Sequence, residues 1–224
     1  MKKVIVLAFV FVAACSSSRV QLEPQVTSDQ TITFDRGGSK LNSQSLLKPE
    51  LSVLEYSSNE MVVGLTVTNS TINSILFSEN NLAVDLLASG ELHSGTVYSY
   101  EQLAEEAAEK GYDTAVQVGN TAASIGVGFI PFGNIFYSVG RLFYSVGSKN
   151  TESHEERIEK LTFSQLNKKY LRKQTINPGD RYSGILKIGF DNELEVGNTV
   201  IFSLFAGDVV EKFNYTCEHP EEEK

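Results

Sequence analysis

Three histidines, two cysteines and a scatter of carboxylates are the side chains of this 224-residue protein that could bind a metal or move a proton. His93, His154 and His219 stand far apart, and none has a second histidine or a cysteine at the spacing a zinc site needs. His154 sits beside Glu152, Glu155 and Glu156 at the start of an expected helix, where charge favours solvation. Glu105/Glu109 and Glu155/Glu159 lie one helical turn apart, and Lys110 and Arg157 nearby make them ordinary solvated pairs. "FDNELEVGN" holds Asp191, Glu193 and Glu195 without calcium-loop spacing, and reads as an exposed hairpin loop between strands. Gly-x-Ser-x-Gly elbows, phosphate-binding loops and zinc-protease helices are absent. The expectation is a protein that is not an enzyme and uses neither metal nor cofactor. An enzyme whose site assembles from distant loops stays open as an alternative.

The cysteines point elsewhere. Cys217 alternates with Phe213 and Tyr215 along "KFNYTC", which places all three on one strand face and predicts a buried structural thiol. Cys15 ends "MKKVIVLAFVFVAAC", where Lys2 and Lys3 precede an apolar core, Val4 to Val12, and two small residues. This is a secretory signal, too short for an ordinary spanning helix. Small residues directly before the cysteine make it resemble a bacterial lipoprotein signal with "VAAC" as the lipobox. The resemblance implies cleavage before Cys15, diacylglycerol on its sulfur and an acyl chain such as palmitate on its amine. Ser16 follows rather than aspartate, so the implied address is the periplasmic face of the outer membrane, with the membrane as partner through the lipid. The alternative is a cleaved signal with an unmodified cysteine. With Cys15 lipidated, Cys217 has no internal disulfide partner.

Cleavage removes Lys2 and Lys3 and takes the formal charge from −9 to −11. An acidic body with an "EHPEEEK" tail argues against nucleic acid as a partner and against electrostatic docking on anionic lipid.

Along the chain, residues 1–14 read as signal peptide, 15–30 as lipidated cysteine and flexible tether, and 218–224 as an acidic tail. Two blocks between them carry strand texture, 31–98 and 170–217. "TITF" is a short strand and "DRGGSKLNSQS" a loop; "LSVLEY" is a strand. In "EMVVGLTVTN", Met61, Val63, Leu65 and Val67 alternate with Glu60, Gly64, Thr66 and Thr68, predicting one buried and one wet face. "NPGD" at 177–180 reads as a turn. "VVGLTVTNST" with the downstream "INPGDRYSGILKIGF" is similar to immunoglobulin-like sandwiches of many bacterial envelope lipoproteins. That likeness covers 50–98 and 170–217 and implies a fold, without carrying any catalytic residue across. The predicted fold class is therefore α+β: an antiparallel immunoglobulin-like β-sandwich interrupted by a helical, glycine-rich hairpin insertion.

The interruption, 99–169, begins with Ser99 as a helix cap and Gln102 three places on. Thr114 to Gly140 is 27 residues without a charge, and Gly119, Gly126, Gly133, Gly140 and Gly147 follow a seven-residue step. On continuous helix these glycines would form one slowly drifting ridge that lets another backbone approach closely. Pro131 breaks it, so the expectation is two helices, 101–127 and 133–148, folded back as a hairpin. A third, amphipathic helix follows, capped by Thr151 or Ser153, with Ile158, Leu161, Gln165 and Leu166 near one face. Glycine costs about 1 kcal/mol per interior helix position relative to alanine, so a close contact is needed to offset five of them. The hairpin packs on its own sandwich, enters a membrane or oligomer, or is a long loop. The reading chosen is a contact surface made by the five glycines. The function that follows is a non-enzymatic cell-envelope lipoprotein acting through protein–protein contact, with an envelope protein or its own copies as partner. The alternative is a membrane-active or self-assembling lipoprotein.

Overall fold

The computed structural model describes residues 20–35, 38–43, 45–112, 153–206 and 209–219. The apolar–polar alternation of the strand blocks resolves into two sheets whose ladders are all antiparallel. The first has the order β1 (Gln21–Gln25), β13 (Val209–Glu218), β12 (Thr199–Ala206), β7 (Leu82–Ala88) and β8 (Glu91–Ser94). The second runs β2 (Gln30–Asp35), β3 (Gly38–Ser43), β4 (Glu50–Tyr56), β5 (Glu60–Thr68), β11 (Arg181–Gly189) and β9 (Thr96–Val97). A ribbon of β6 (Ile75–Phe77) and β10 (Gln174–Ile176) completes the strands. Val84, Leu86, Phe202, Phe213 and Tyr215 of the first sheet share one buried core with Leu51, Met61, Val63 and Leu186 of the second. The Tyr215 hydroxyl crosses between sheets to the Leu51 carbonyl at 3.3 Å, and Phe202 meets Tyr215 edge-on at 5.7 Å. The arrangement is that of a β-sandwich.

The two strand blocks interleave. β11 lies between β5 and β9, and β12 between β7 and β13, so chain from both sides of the 99–169 interruption builds each sheet. The helices at the edges of the interruption are α1 (Tyr100–Glu109) and α2 (His154–Lys169). Both begin with capping boxes, Ser99 with Gln102 and Ser153 with Glu156; of the two candidate caps for α2, Ser153 is the one used.

Several expectations are corrected. The first helix ends at Glu109, not 127: Gly111 takes φ +75°, its N–H bonds Ala108 O, and the Tyr112 N–H bonds Ala107 O. That paired bonding is a Schellman stop, which terminates a helix at a left-handed glycine. β5 has no wet face. Val62, Gly64 and Thr66 are as buried as Met61 and Val63, because α2 lies over β4, β5 and β11 with Ile158, Leu161 and Leu166 inward. The supposed loop at 35–45 contains β3, which pairs with β2 through Ile32 opposite Leu41. The tether is shorter than 15–30, since β1 already pairs with β13 along Gln21–Gln25. The 190–198 loop is no hairpin: it carries the chain from the second sheet to the first, with Leu194 buried and its N–H on Ser58 O. "NPGD" forms its turn, with Gly179 at φ +83° and the Asp180 N–H on Asn177 O.

Gly184 admits the chain that leaves α2. A Cβ there would stand 2.9 Å from Leu171 Cα and 2.9 Å from Lys169 O, both backbone atoms that cannot rotate away. Gly184→Ala is therefore expected to destabilise the domain by about 1–3 kcal/mol in urea denaturation, the range for overpacked cores. Cys217 is 1% exposed, and burial pushes its thiol up to about 11. It should resist a thiol reagent at neutral pH in the folded protein and react promptly in denaturant; fast native labelling would contradict its burial.

Candidate functional site

The residues singled out from sequence as lipidation site and contact ridge, Cys15 and Gly119, Gly126, Gly133, Gly140 and Gly147, lie outside the described residues. So does the expected helix over 133–148. What is described is where those segments join the fold. Val20, five positions after Cys15, is fixed by the Tyr56 hydroxyl, which donates to its carbonyl at 2.8 Å. Tyr112 is the last residue before the glycine-bearing stretch and Ser153 the first after it.

Both of these junctions are held by the first turns of α2. α1 lies antiparallel to α2, with the Tyr100 hydroxyl on Asn167 Oδ1 at 2.8 Å at one end. At the other end Lys110 Nζ lies 2.9 Å from both Glu106 and Glu159 carboxylates. The Tyr112 hydroxyl donates to Glu159, and its ring packs on Phe163 at 4.8 Å. The hydrogen bonds from Lys110 to Glu159 and then Glu106 raise its pKa, and the same Lys110 contact lowers that of Glu159. Glu159, expected to form a solvated pair with Glu155, instead joins the two helices. At the start of α2, His154 Nδ1 and Arg157 Nη2 approach Glu55 Oε1 at 2.8 and 3.2 Å. The helix start is thus tied to the end of β4 rather than simply solvated.

The C-terminal end of α2 is pinned differently. The buried Tyr170 hydroxyl donates to Tyr98 O at 2.6 Å and accepts the Lys187 N–H at 3.1 Å. The Arg172 guanidinium stacks 3.7 Å above the Tyr100 ring. Lys187, 5% exposed beneath this helical layer, pairs with Glu60 at 2.9 Å. These contacts hold backbone in place; none gathers three metal-ligating groups, and no such cluster occurs among the described residues. No described helix is long and apolar enough to cross a membrane.

The two ends of the sandwich differ. One end collects Val20, the β4–β5 turn, the 190–198 loop, Glu218 and the start of α2: Phe190 and Leu194 N–H groups bond Asn59 and Ser58 carbonyls, and Gly197 bonds Cys217. The opposite end carries Val26, Leu46, Ile72, Phe205, Val209 and Val210, six of the ten large apolar side chains that are exposed among the described residues. Contacts of Ser70 with Leu46, Ser43 with Glu211, and Asn81 with Phe205 tie these loops together. No local motif marks this rim, because its residues come from three loops and from the ends of β12 and β13; the isolated Ile72 in "NSTINS", 91% exposed, is its one sequence signal.

The α1–α2 contact has a defined pH window. A depressed carboxylate contributes stability above its ordinary value of 4.5 and loses it as pH falls through the folded-state value; raised Lys110 contributes below 10.5 and loses it at higher pH. Because these groups are partly exposed, the pair contributes about 1 kcal/mol or less. Amide protection of α1 at Leu103 and Ala107 is expected to fall below pH 4.5 and in Lys110→Ala at neutral pH, while β12 stays protected.

No protein-family model matches this chain, and no curated protein matches it either.

Proposed function

We propose that this chain is a lipid-anchored protein of the bacterial cell envelope, with an immunoglobulin-like sandwich, that works by contact rather than by catalysis. Its working surface is the stretch between Tyr112 and Ser153, and the contact is made by Gly119, Gly126, Gly133, Gly140 and Gly147. The observation that carries this reading is the way the stretch is mounted. Its two ends are fixed on one helix, by the Tyr112–Phe163 stack and the Ser153 cap, while the flanking strands interleave into a single sandwich. A fold that holds a long, glycine-spaced segment, 27 residues of it without a charge, in this way supports a presented surface better than a buried one. The lipobox-like "VAAC" supplies the address, the periplasmic face of the outer membrane.

The partner is an envelope protein or a second copy. The second reading is a membrane-active or self-assembling protein whose glycine stretch enters a bilayer or an oligomer. Detergent separates them: a monomer soluble without detergent once the lipid is absent favours the first, and a detergent-requiring oligomer the second. Gly126→Leu and Gly140→Leu are expected to weaken co-purification of native-membrane partners severalfold while leaving the melting temperature of the sandwich unchanged. Wild-type oligomeric state and wild-type partner recovery in both variants would overturn the glycine ridge.

A further inference from the structure

The fold begins and the insertion departs at the same end of the molecule. Val20 is bonded to Tyr56 at the end of β4; the next residue back, Glu55, binds His154 and Arg157 at the start of α2; and Tyr112 is held one turn further along by Glu159. Four residues of chain, 16–19, separate Val20 from Cys15, five steps that reach about 17 Å when fully extended. The nine residues of β11 run to this end from the other, about 30 Å at strand rise.

From these placements we infer that the sandwich stands on the membrane with the β4–β5 turn and the start of α2 facing the bilayer and the apolar rim around Ile72 facing away. The inference rests on lipidation of Cys15, as proposed above. The occupant of the near end is the bilayer that holds the anchor, argued from how little chain lies between that anchor and Val20. Glu193, Glu195 and Glu218 border this end. Carboxylates so placed oppose embedding among anionic headgroups, so the end rests at the surface without entering it. Tyr112 and Ser153, where the glycine-bearing stretch leaves and rejoins the fold, thereby lie on the membrane side of the domain. The apolar rim points to the space beyond.

The full-length acylated protein, reconstituted in phosphatidylethanolamine vesicles carrying a headgroup nitroxide, tests this. A thiol-reactive fluorophore is placed by Asn59→Cys at the near end or Ile72→Cys at the far end, with Val196→Cys and Leu46→Cys as a second pair should either of the first fail to fold. The near-end probes are expected to be quenched severalfold more than the far-end probes. Equal quenching, or stronger quenching at Ile72, in protein shown by mass spectrometry to be acylated overturns the orientation and leaves the anchor standing. An unmodified Cys15 overturns the anchor and the orientation with it.

Discussion

Strands β5 and β11 pair over nine residues and have no wet side, so every polar group on them must be satisfied within the protein. One face meets the first sheet through Met61, Val63, Leu65 and Leu186. The other meets α2, and its composition shows how a helix is seated on a partly polar surface. Thr66 donates to Ser183 across the ladder, and Lys187 is paired with Glu60. Had Glu60 faced water alone, a buried lysine beneath a helix would cost several kcal/mol; paired, it is tolerated and fixes register. The placement of α2 in turn decides where α1 lies, and hence where the intervening chain leaves and rejoins the molecule.

Much of this architecture was legible in the sequence because local chemistry and tertiary burial agree. The alternation in "KFNYTC" puts Phe213, Tyr215 and Cys217 inward, the Ser99 and Ser153 boxes start the helices, and "NPGD" turns. The failures have physical causes. Gly64, Thr66 and Glu60 look like a solvated row because period-two patterning reports side-chain polarity, whereas a covering helix supplied from elsewhere in the chain leaves no mark on the strand itself. β1 contains Pro24, which suits an edge strand and hides it; β3 has one apolar anchor, Leu41, opposite Ile32. Lys110–Gly111 was a readable stop signal, and the strong helix formers before it do not carry the helix past it.

The surfaces divide along the same line. Cys15 and the glycine series were legible as residue types at a spacing, which is a sequence property. Their mounting was not: that Glu159 joins α1 to α2, or that Glu55 receives the start of α2, depends on contacts between residues 49 and more than 90 positions apart. The apolar rim was likewise invisible, because strand order and no local motif puts Leu46, Ile72 and Phe205 at the same end of the sandwich.

Holding both ends of a long excursion on one helix has an evolutionary corollary. Once the stem is closed by the Gly111 stop and the Ser153 cap, doubling the length of chain between them costs only about 0.6 kcal/mol of closure entropy. The α1–α2 pair then acts as a socket, and the segment it carries is free to diverge, shrink or be exchanged at little thermodynamic cost while the scaffold stays the same.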